Sequence, residues 1–150
     1  MARVRIDLPQ SFDFSTELDV TIAHINYGKH LGNDAAFTLL HDARLHFFRA
    51  LGYEDELNFH GLGLIQADAA VVYKRQAFWG DRLKFELASC EFSRAGFELH
   101  YRVSHATQHH EILQAKIGLV FFNYETQKPA PIPEPFIHAL RQMNPDREFV

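Results

Sequence analysis

The sequence predicts an α+β fold in which an antiparallel sheet covers one long helix. One long segment has apolar residues at helical spacing, whereas at least five segments have the alternation or the β-branched and aromatic content of strands. Four of these strands follow one another without an intervening helix, so short antiparallel connections are expected. Such a sheet needs an apolar partner for one of its faces, and the helix can supply it.

The first two predicted elements are a strand at residues 13–25 and a helix at residues 34–51. Asn33 suits the N-cap of the helix, and Gly52 suits its C-terminal end. An apolar stripe on one side predicts that the helix is largely buried. The stripe comprises Ala36, Leu40, Ala43, Phe47 and Leu51, and it is widened by Phe37 and Phe48.

The strands that follow the helix are predicted at residues 62–75, 81–92, 97–105 and 112–124. In the third of these, apolar residues alternate with Glu98, His100 and Arg102, which should face away from the core. Residues 94–96 are predicted to form a short hairpin connection. A proline cluster then ends the last strand, and residues 136–143 can form a short closing helix.

Length and composition limit the classes of protein that are possible. The 150 residues suffice for one domain, at residues 1–150, with a sizeable core, and a net charge of −4 argues against a general nucleic-acid binder. The single cysteine, Cys90, excludes an internal disulfide. Without a long apolar run or a stretch typical of a signal peptide, a cytoplasmic protein with no membrane contact is expected. Exposed strand edges favour a homodimer, with a homotetramer as the alternative.

The most polar connection lies between the first strand and the helix and reads HINYGKHLGND, residues 24–34. It contains two glycines and several amide and ionisable side chains. The start of a buried helix offers unpaired backbone N–H groups, which favour developing negative charge. Ordinary helix capping and catalysis therefore both fit this segment.

Three segments resemble the hotdog-fold acyl-CoA thioesterases, in particular the 4-hydroxybenzoyl-CoA thioesterase-like family. They are HLGNDAAFTLLHDAR, VVYKRQAFWGDRLKFEL and PAPIPEPFIHAL, which begin at His30, Val71 and Pro129. The resemblance implies a hotdog fold, a curved antiparallel sheet of about five strands wrapped around one long buried helix. It also implies a hydrolase that cleaves an acyl-CoA thioester to a free acid and CoA, with no cofactor beyond the CoA of the substrate.

One position departs from the family pattern. The family's catalytic Asp falls on Asn26 in this chain, and His24 occupies the preceding acidic position. An amide cannot act as a general base or as a carboxylate nucleophile. A non-catalytic protein that binds acyl thioesters on the same fold is therefore the alternative function. An enoyl hydratase is a weaker candidate because no clear hydratase pair of Asp and His is present.

The candidate catalytic residues all belong to the polar connection. The resemblance implies that the backbone amide of Asn33 polarises the thioester carbonyl, with the amide of Asp34 beside it. Asn26 can orient the attacking water by hydrogen bonding, His24 and His30 suit base chemistry near neutral pH, and Asp34 is the nearest carboxylate. Each of these side chains also has a structural interpretation as a cap, a backbone hydrogen-bond partner or a favourable charge at a helix start.

The candidate substrate-binding residues are more widely spread along the chain. Tyr27 can bind the carbonyl or simply pack. Asp68 stands among apolar neighbours on a predicted strand with Gln66 on the same face, and the pair can lie across a dimer interface or where the strand reaches solvent. Arg75 and Arg82 flank a predicted turn, where they can contact the phosphates of CoA or remain solvated.

No metal site is predicted. His105, His109 and His110 crowd a predicted hairpin loop, and neither HExxH nor CxxC spacing occurs. A solvated loop accounts for these histidines, and a buried structural role accounts for Cys90.

Overall fold

The computed structural model of the protein describes residues 2–147, which form six β-strands and two α-helices. The strands are β1 (Phe14–Asp19), β2 (Gly63–Tyr73), β3 (Arg82–Cys90), β4 (Gly96–His105), β5 (Glu111–Asn123) and β6 (Lys128–Pro129). The helices are α1 (Asn33–Ala50) and α2 (Glu134–Met143), and a short 3₁₀ helix covers Ile22–His24. Among these residues, no helix combines the length and the apolarity needed to cross a bilayer.

All six strands belong to one antiparallel sheet. Its main path runs β1-β3-β4-β5-β2, and β6 pairs with β5. The sheet curves around α1, so the predicted α+β hotdog fold is confirmed. The two-residue β6 was not predicted. β1 and β2 end the main path, and one side of each therefore has no strand partner within the described chain.

The first strand is shorter than predicted. β1 ends at Asp19 rather than Ile25, and the chain then turns through the 3₁₀ helix. The N–H of Thr21 donates to Nδ1 of His24 at 2.9 Å, which caps this turn. The β-rich composition of the segment suggested a continuous strand, but a local bond from a side chain to the backbone gives the chain an alternative to the sheet ladder.

Helix α1 begins one residue earlier than predicted and buries the expected face. Its N-cap is Gly32, which has extended backbone angles, and not Asn33, which lies inside the first turn and accepts a hydrogen bond from the N–H of Asp34 through its Oδ1. Gly52, with φ +102°, ends the helix in the left-handed region. Phe37, expected in the apolar stripe, is 39% exposed. The buried side chains are Ala36, Leu39, Leu40, Ala43, Arg44, Phe47 and Phe48.

The core lies between α1 and the inner face of the sheet. Tyr101 is fully buried there, and its hydroxyl donates to the carbonyl of Leu40 at 3.4 Å. Burial raises the pKa of Tyr101 because the phenolate would lose its hydration. An aromatic cluster fills one end of the core, and each buried ring contributes about 1.5–3 kcal/mol. Its members include Phe47, Phe48, Phe59, Phe97, Phe121 and, from α2, Phe136.

The outer face of the sheet is also partly covered, which the alternation pattern did not predict. His100 does point away from the core, but it is only 7% exposed. It lines a small pocket together with Asp7 and Pro9 of the N-terminal segment. Arg147, near the other end of the chain, forms an ion pair with Asp13 at 2.5 Å. Alternation assigns a residue to a face of the sheet, but it does not reveal what packs against that face.

β2 contains a β-bulge that changes which side chains face the helix. Gln66 pairs with Leu119 and Asp68 pairs with Gly118, so Ala67 is an extra residue. The bulge puts Gln66 on the inner face with the buried Leu119, and Asp68 on the outer face, where its carboxylate contacts Gly118. The expectation that Gln66 and Asp68 share a face is therefore wrong, because it assumed an uninterrupted period of two residues.

We expect Gly96→Ala to lower the free energy of unfolding by about 1–3 kcal/mol, a typical cost of overpacking. A Cβ at Gly96 would collide with the backbone carbonyl of Leu119 in the paired strand β5. Gly63→Ala is the matched control, because its Cβ would meet the ring of Tyr124, which is 52% exposed and can turn away. Urea unfolding of both variants measures the difference, and equal losses would contradict this explanation.

Candidate functional site

Backbone hydrogen bonds close the loop between the 3₁₀ helix and α1. Ile25 and Leu31 form an isolated β-bridge, and the N–H of Asn26 donates to the carbonyl of His30 at 3.0 Å. The N–H of Leu31 donates to the carbonyl of Ala77 at 2.8 Å, which ties the loop to the segment after β2. These bonds give the side chains of the loop fixed positions next to the start of α1.

The side-chain amide of Asn26 offers different chemistry at its two ends. Its Oδ1 accepts a hydrogen bond from the N–H of Gly28 at 2.9 Å, which identifies the oxygen and leaves Nδ2 as the other end. Nδ2 lies 3.7 Å from the position that a Cβ on Gly32 would occupy, and Gly32 is the N-cap of α1. Asn26 therefore brings a hydrogen-bond donor to the helix start, whereas an ionised aspartate would bring only acceptors.

A polar niche lies beside Gly28, where the lack of a side chain leaves space. The position that a Cβ on Gly28 would occupy is 3.2 Å from both Oδ1 of Asn26 and Nε2 of His30. Nδ1 of His30 donates to the carbonyl of Leu31 at 3.0 Å, so Nε2 of the neutral ring carries a lone pair. Two acceptors thus face one small space, which suits a water molecule that donates both of its hydrogens.

The first turn of α1 is open to ligands. The N–H of Asn33 has no hydrogen-bond acceptor among residues 2–147, as is typical of a first-turn N–H. The N–H of Asp34 is satisfied by Oδ1 of Asn33 at 2.9 Å. The carboxylate of Asp34 folds back over Gly32, with Oδ1 2.6 Å from the position of a Cβ there. The free N–H and the helix dipole favour a partly negative oxygen atom at this point.

Tyr73, at the end of β2, lines the same cleft, although it was not among the site residues predicted from the sequence. Its hydroxyl donates to the carbonyl of Asn33 at 3.1 Å, which links β2 to the first turn of α1. Partial burial, and then the negative charge of Asp34, raise the pKa of Tyr73. The sequence could have indicated that Tyr73 lies near a ligand, because this residue directly precedes the cations Lys74 and Arg75 near the end of a predicted strand.

These groups surround a cleft of about 480 Å³ that reaches the first turn of α1 from the surface. The residues proposed from the sequence that line it are Asn26, Tyr27, His30, Asn33 and Arg75. Lining residues that were not proposed as site residues include Leu31, Tyr73, Lys74, Gln76, Ala77, Ile112 and Leu113. The cleft therefore has a polar wall, made by the loop and the helix start, and an apolar wall made by strand residues.

His24 has a structural role in the turn that precedes the loop. Its Nδ1 accepts the N–H of Thr21, and it also lies 3.2 Å from the Thr21 hydroxyl. Its side chain is absent from the cleft wall. The carbonyl of His24 accepts the N–H of Gly32 at 3.0 Å, so its backbone supports the helix start.

Gln66 and Asp68 do not line the cleft. Gln66 accepts a long hydrogen bond, of 3.4 Å, from Nη1 of the buried Arg44 on α1. Asp68 is exposed on the outer face of the sheet, in agreement with the prediction that the strand reaches solvent there. The bulge at Ala67 is the physical reason for both placements.

Arg82 is also engaged elsewhere. Its guanidinium donates to Asp19 at 2.8 Å and to Glu17 at 2.9 Å, and these hydrogen bonds raise its pKa. The contacts follow from the pairing of β3 with β1, in which Arg82 lies opposite Asp19. Two carboxylates already balance the charge of Arg82, which makes it a poor site for a phosphate.

The histidine-rich turn between β4 and β5 has a structural explanation. Nδ1 of His105 accepts the N–H groups of Thr107 and Gln108, and its ring stacks on that of His110. Among the residues that the structure describes, no three His, Cys, Asp or Glu side chains are grouped so as to hold a metal ion.

The loop, α1 and the cleft all lie within a region that matches a known family. The family model of the thioesterase-like superfamily matches residues 20–140, so the chain belongs to that superfamily. This membership confirms the resemblance seen in the three sequence segments. A comparison with curated proteins gave no significant match.

Solved structures share the fold over most of the chain. Slr0204, a 1,4-dihydroxy-2-naphthoyl-CoA thioesterase from Synechocystis, is 22% identical, with a TM-score of 0.78 over 85% of this chain and 94% of that one. A thioesterase from Thermus thermophilus, complexed with coenzyme A and Zn, is 18% identical, with a TM-score of 0.79 over 93% and 100%. SAV2348 from Staphylococcus aureus, in complex with CoA, is 14% identical, with a TM-score of 0.80 over 98% and 92%. At these identities the similarity establishes the fold alone.

We expect Asp34→Asn to lower the pKa of Tyr73 partway toward its ordinary value. A negative charge nearby disfavours the phenolate, so removing it makes ionisation easier, while burial still holds the pKa up. Tyrosinate absorbance, titrated with and without a Tyr73→Phe substitution, isolates the signal of this residue. Asp42→Asn, on the exposed side of the same helix, is the control and should leave the pKa of Tyr73 unchanged. An unchanged pKa in Asp34→Asn would show that the two groups do not interact.

Proposed function

We propose that the protein is an acyl-CoA thioesterase that hydrolyses a thioester to a free acid and CoA. The observation that carries the proposal is that Asn26, His30 and Asn33 line one cleft, the first two as acceptors around Gly28 and the third at an open helix N-terminus. Membership of the thioesterase-like superfamily supports the reaction type. Two similar structures that contain CoA support CoA as the thiol half of the substrate.

In this mechanism the helix start binds the thioester carbonyl. The carbonyl oxygen accepts hydrogen bonds from the N–H of Asn33 and from Nδ2 of Asn26, which both face the beginning of α1. The oxygen becomes negative when the carbonyl carbon is attacked, and donors that are already oriented stabilise that charge without reorganisation. Each donor of this kind typically lowers the activation barrier by about 3–4 kcal/mol.

His30 acts as the general base. A water molecule in the niche beside Gly28 donates one hydrogen bond to Nε2 of His30 and the other to Oδ1 of Asn26, which leaves an oxygen lone pair for the carbonyl carbon. The proton passes to Nε2 as the new C–O bond forms. The C–S bond then breaks, and His30 returns the proton to the sulfur of CoA. The imidazole thereby supplies the proton transfer that Asn26 cannot perform.

Asp34 has an electrostatic role in this mechanism rather than a chemical one. Its carboxylate lies beside Gly32 at the start of α1, where it stabilises the helix by complementing the dipole. The atoms nearest to the niche beside Gly28 belong to Asn26 and His30, so His30 rather than Asp34 is in place to take the proton from the water.

Lys74 and Arg75 bind the phosphates of CoA. Both are exposed residues of the cleft wall, at the end of β2. Arginine and lysine at a cleft mouth attract phosphate groups, and the guanidinium can bind them through two parallel hydrogen bonds. Tyr27, which is exposed at the same mouth, can pack against the adenine or the acyl group.

The second candidate function is the binding of acyl-CoA without hydrolysis. Asn26 favours it, because the family's catalytic acid is absent at this position. A panel of acyl-CoA esters with a thiol reagent separates the two functions. Release of CoA above background supports the thioesterase, whereas a raised melting temperature without CoA release supports the binding protein.

We expect Gly28→Ala to lower kcat at least tenfold. Its Cβ would occupy the niche between Asn26 and His30 and displace the attacking water, while the fold is retained because the substituted position is exposed. Asn26→Ala and His30→Ala should lose at least as much, because each removes one of the two acceptors. The release of CoA, followed with a thiol reagent, gives kcat.

Gly63→Ala is the matched control for Gly28→Ala, because it makes the same chemical change at a position where the added Cβ meets Tyr124 rather than Asn26 and His30. Asp34→Asn should retain most of the activity. Full activity in Gly28→Ala would refute the role of the niche. So would a result in which Asp34→Asn loses activity while His30→Ala remains active.

We expect Arg75→Ala to weaken CoA binding by about tenfold, a typical effect of removing one charge-assisted hydrogen bond. Arg82→Ala should change the affinity little, because this guanidinium is occupied by Glu17 and Asp19. Both substitutions remove one positive charge, so their comparison separates a local contact from the net charge. Calorimetric titration with CoA measures both affinities, and equal losses would contradict direct contact by Arg75.

A further inference from the structure

We propose that Cys90, on the outer face of the sheet, is a modification site that forms a mixed disulfide with a small disulfide carrying an ammonium group, and that His100 takes up the proton of its thiol. The site goes beyond the proposed function, because none of the described residues that line its pocket also lines the cleft. It rests on a buried histidine without a hydrogen-bond partner, beside the only cysteine of the chain.

His100 is a buried base that the fold does not use. Its side chain is 9% exposed, and neither ring nitrogen has a hydrogen-bond partner among residues 2–147. Buried polar groups nearly always have such partners, so this exception requires an explanation. Oε1 of Glu98 lies 3.6 Å from Nε2 of His100, which is too far for a hydrogen bond. The carboxylate is nevertheless close enough to stabilise the ring once the ring has accepted a proton.

The sheet places the thiol of Cys90 beside His100. In the ladder between β3 and β4, Cys90 lies opposite Glu98 and Ala88 lies opposite His100. Cys90 and His100 are therefore diagonal neighbours on the same face of the sheet. Sγ of Cys90 is 3.8 Å from the carbonyl oxygen of Ala88, so the thiol leans along β3 toward His100 rather than away from it. Both side chains line one pocket of about 280 Å³.

The thiol of Cys90 needs a base before it can react. Burial raises the pKa of this thiol, and the negative charges of Asp13 and Glu91 raise it further. The guanidinium of Arg147, with Nη2 3.8 Å from Sγ, offsets part of this rise. The thiolate is the reactive form of cysteine, so a proton acceptor in the same pocket decides whether the residue reacts. An imidazole nitrogen with a free lone pair is such an acceptor.

The reaction is a thiol–disulfide exchange. The proton of Cys90 moves from Sγ to the imidazole of His100, and the thiolate attacks one sulfur of the small disulfide. The new S–S bond forms as the old one breaks, and His100 returns the proton to the sulfur that leaves. One thiol and one disulfide are consumed, and one mixed disulfide and one thiol are formed. The small disulfide is thus the only oxidant that the step requires.

The charges around the pocket favour a disulfide with an ammonium group. Asp7 and Glu91 contribute exposed carboxylates to its wall, and neither has an ion-pair partner among the residues that the structure describes. Arg147, a cation of the same wall, is already paired with Asp13. A bound ammonium group balances the charge of Glu91, which otherwise disfavours the thiolate. Pockets for drug-sized ligands begin at roughly 300 Å³, so this pocket suits a smaller molecule.

Three disulfides of similar length test the site in the unsubstituted protein. Cystamine, bis(2-hydroxyethyl) disulfide and dithiodiglycolic acid carry positive, no and negative charge at pH 7.5. Intact-mass spectrometry gives the rate of each adduct, and every adduct reports on Cys90 because no other cysteine is present. Each rate is divided by the rate in urea-unfolded protein, which removes the intrinsic reactivity of the reagent.

We expect the rate ratio of folded to unfolded protein to exceed one for cystamine. It should be about fivefold higher than the ratio for the neutral disulfide, which is the upper range for one exposed ion pair, and the anionic disulfide should give the lowest ratio. Ratios below one for all three reagents would show that burial dominates and that no base assists Cys90. Equal ratios, or the reverse order, would overturn the preference for an ammonium group.

Substitutions separate the base from the charge preference. His100→Gln should lower the rate with every reagent by roughly tenfold or more and leave the preference for cystamine intact. His46→Gln, at a half-exposed histidine of α1, is its control and should react normally. Glu91→Gln should instead reduce the preference for cystamine, whereas Glu125→Gln, at an exposed turn after β5, should not.

Urea unfolding checks that each variant is folded before its rate is compared. An unchanged rate in folded His100→Gln would overturn the role of this residue as the base. An unchanged preference for cystamine in Glu91→Gln would overturn the assignment of the ammonium group to this carboxylate. If His100→Gln does not fold, the ratios of folded to unfolded rate in the unsubstituted protein still decide whether the site activates its thiol.

Discussion

The hydrogen bond from the N–H of Leu31 to the carbonyl of Ala77 joins the loop before α1 to the segment after β2, and the cleft depends on it. Ala77 is 1% exposed, so the loop is anchored to the core rather than to another surface segment. In the proposed mechanism, water activation and carbonyl binding require groups that are held to within about 0.5 Å. The loop achieves this because its backbone is closed on itself and tied to the sheet, while Gly28 and Gly32 keep the space between the groups free.

In the proposed mechanism, the amide of Asn26 takes the position at which the resembling family has an acid of similar shape, and this divides the chemical steps between two residues. A carboxylate in this position can take a proton, whereas the amide presents an acceptor to the niche and a donor to the helix start. The proposal assigns proton transfer to His30, whose tautomer is set by the carbonyl of Leu31. The proposal therefore assigns the orientation of the water and the acceptance of its proton to different side chains, and the carboxylate of Asp34 remains a negative charge beside the helix start.

Helix α1 serves the core, the site and the surface with different sides. Its apolar side lies against the sheet, and its free first-turn N–H opens into the cleft. Arg44 and Glu56 form a largely buried ion pair, and the removal of these two charges from water is costly. Apolar residues of similar size in their place would stabilise the fold about as well. Such a network fixes the position of an exposed group, here the ring of His41, better than it stabilises the fold. That ring and the exposed Phe37 lie on the side of the helix beside the unpaired edge of β2.

The sequence was enough to predict the α+β class and the long buried helix, because both depend on local periodicity. It was also enough to predict the region of the candidate site, because that depends on the chemistry of adjacent residues. The strand order, the bulge at Ala67 and the ion pairs of Arg82 depend instead on pairing between distant segments. A single bulge reversed the face of Gln66 relative to Asp68, since every side chain after it changes sides. Tyr73 joined the site for the same kind of reason: its contact with Asn33 spans 40 residues of sequence and exists only after the sheet has closed around the helix.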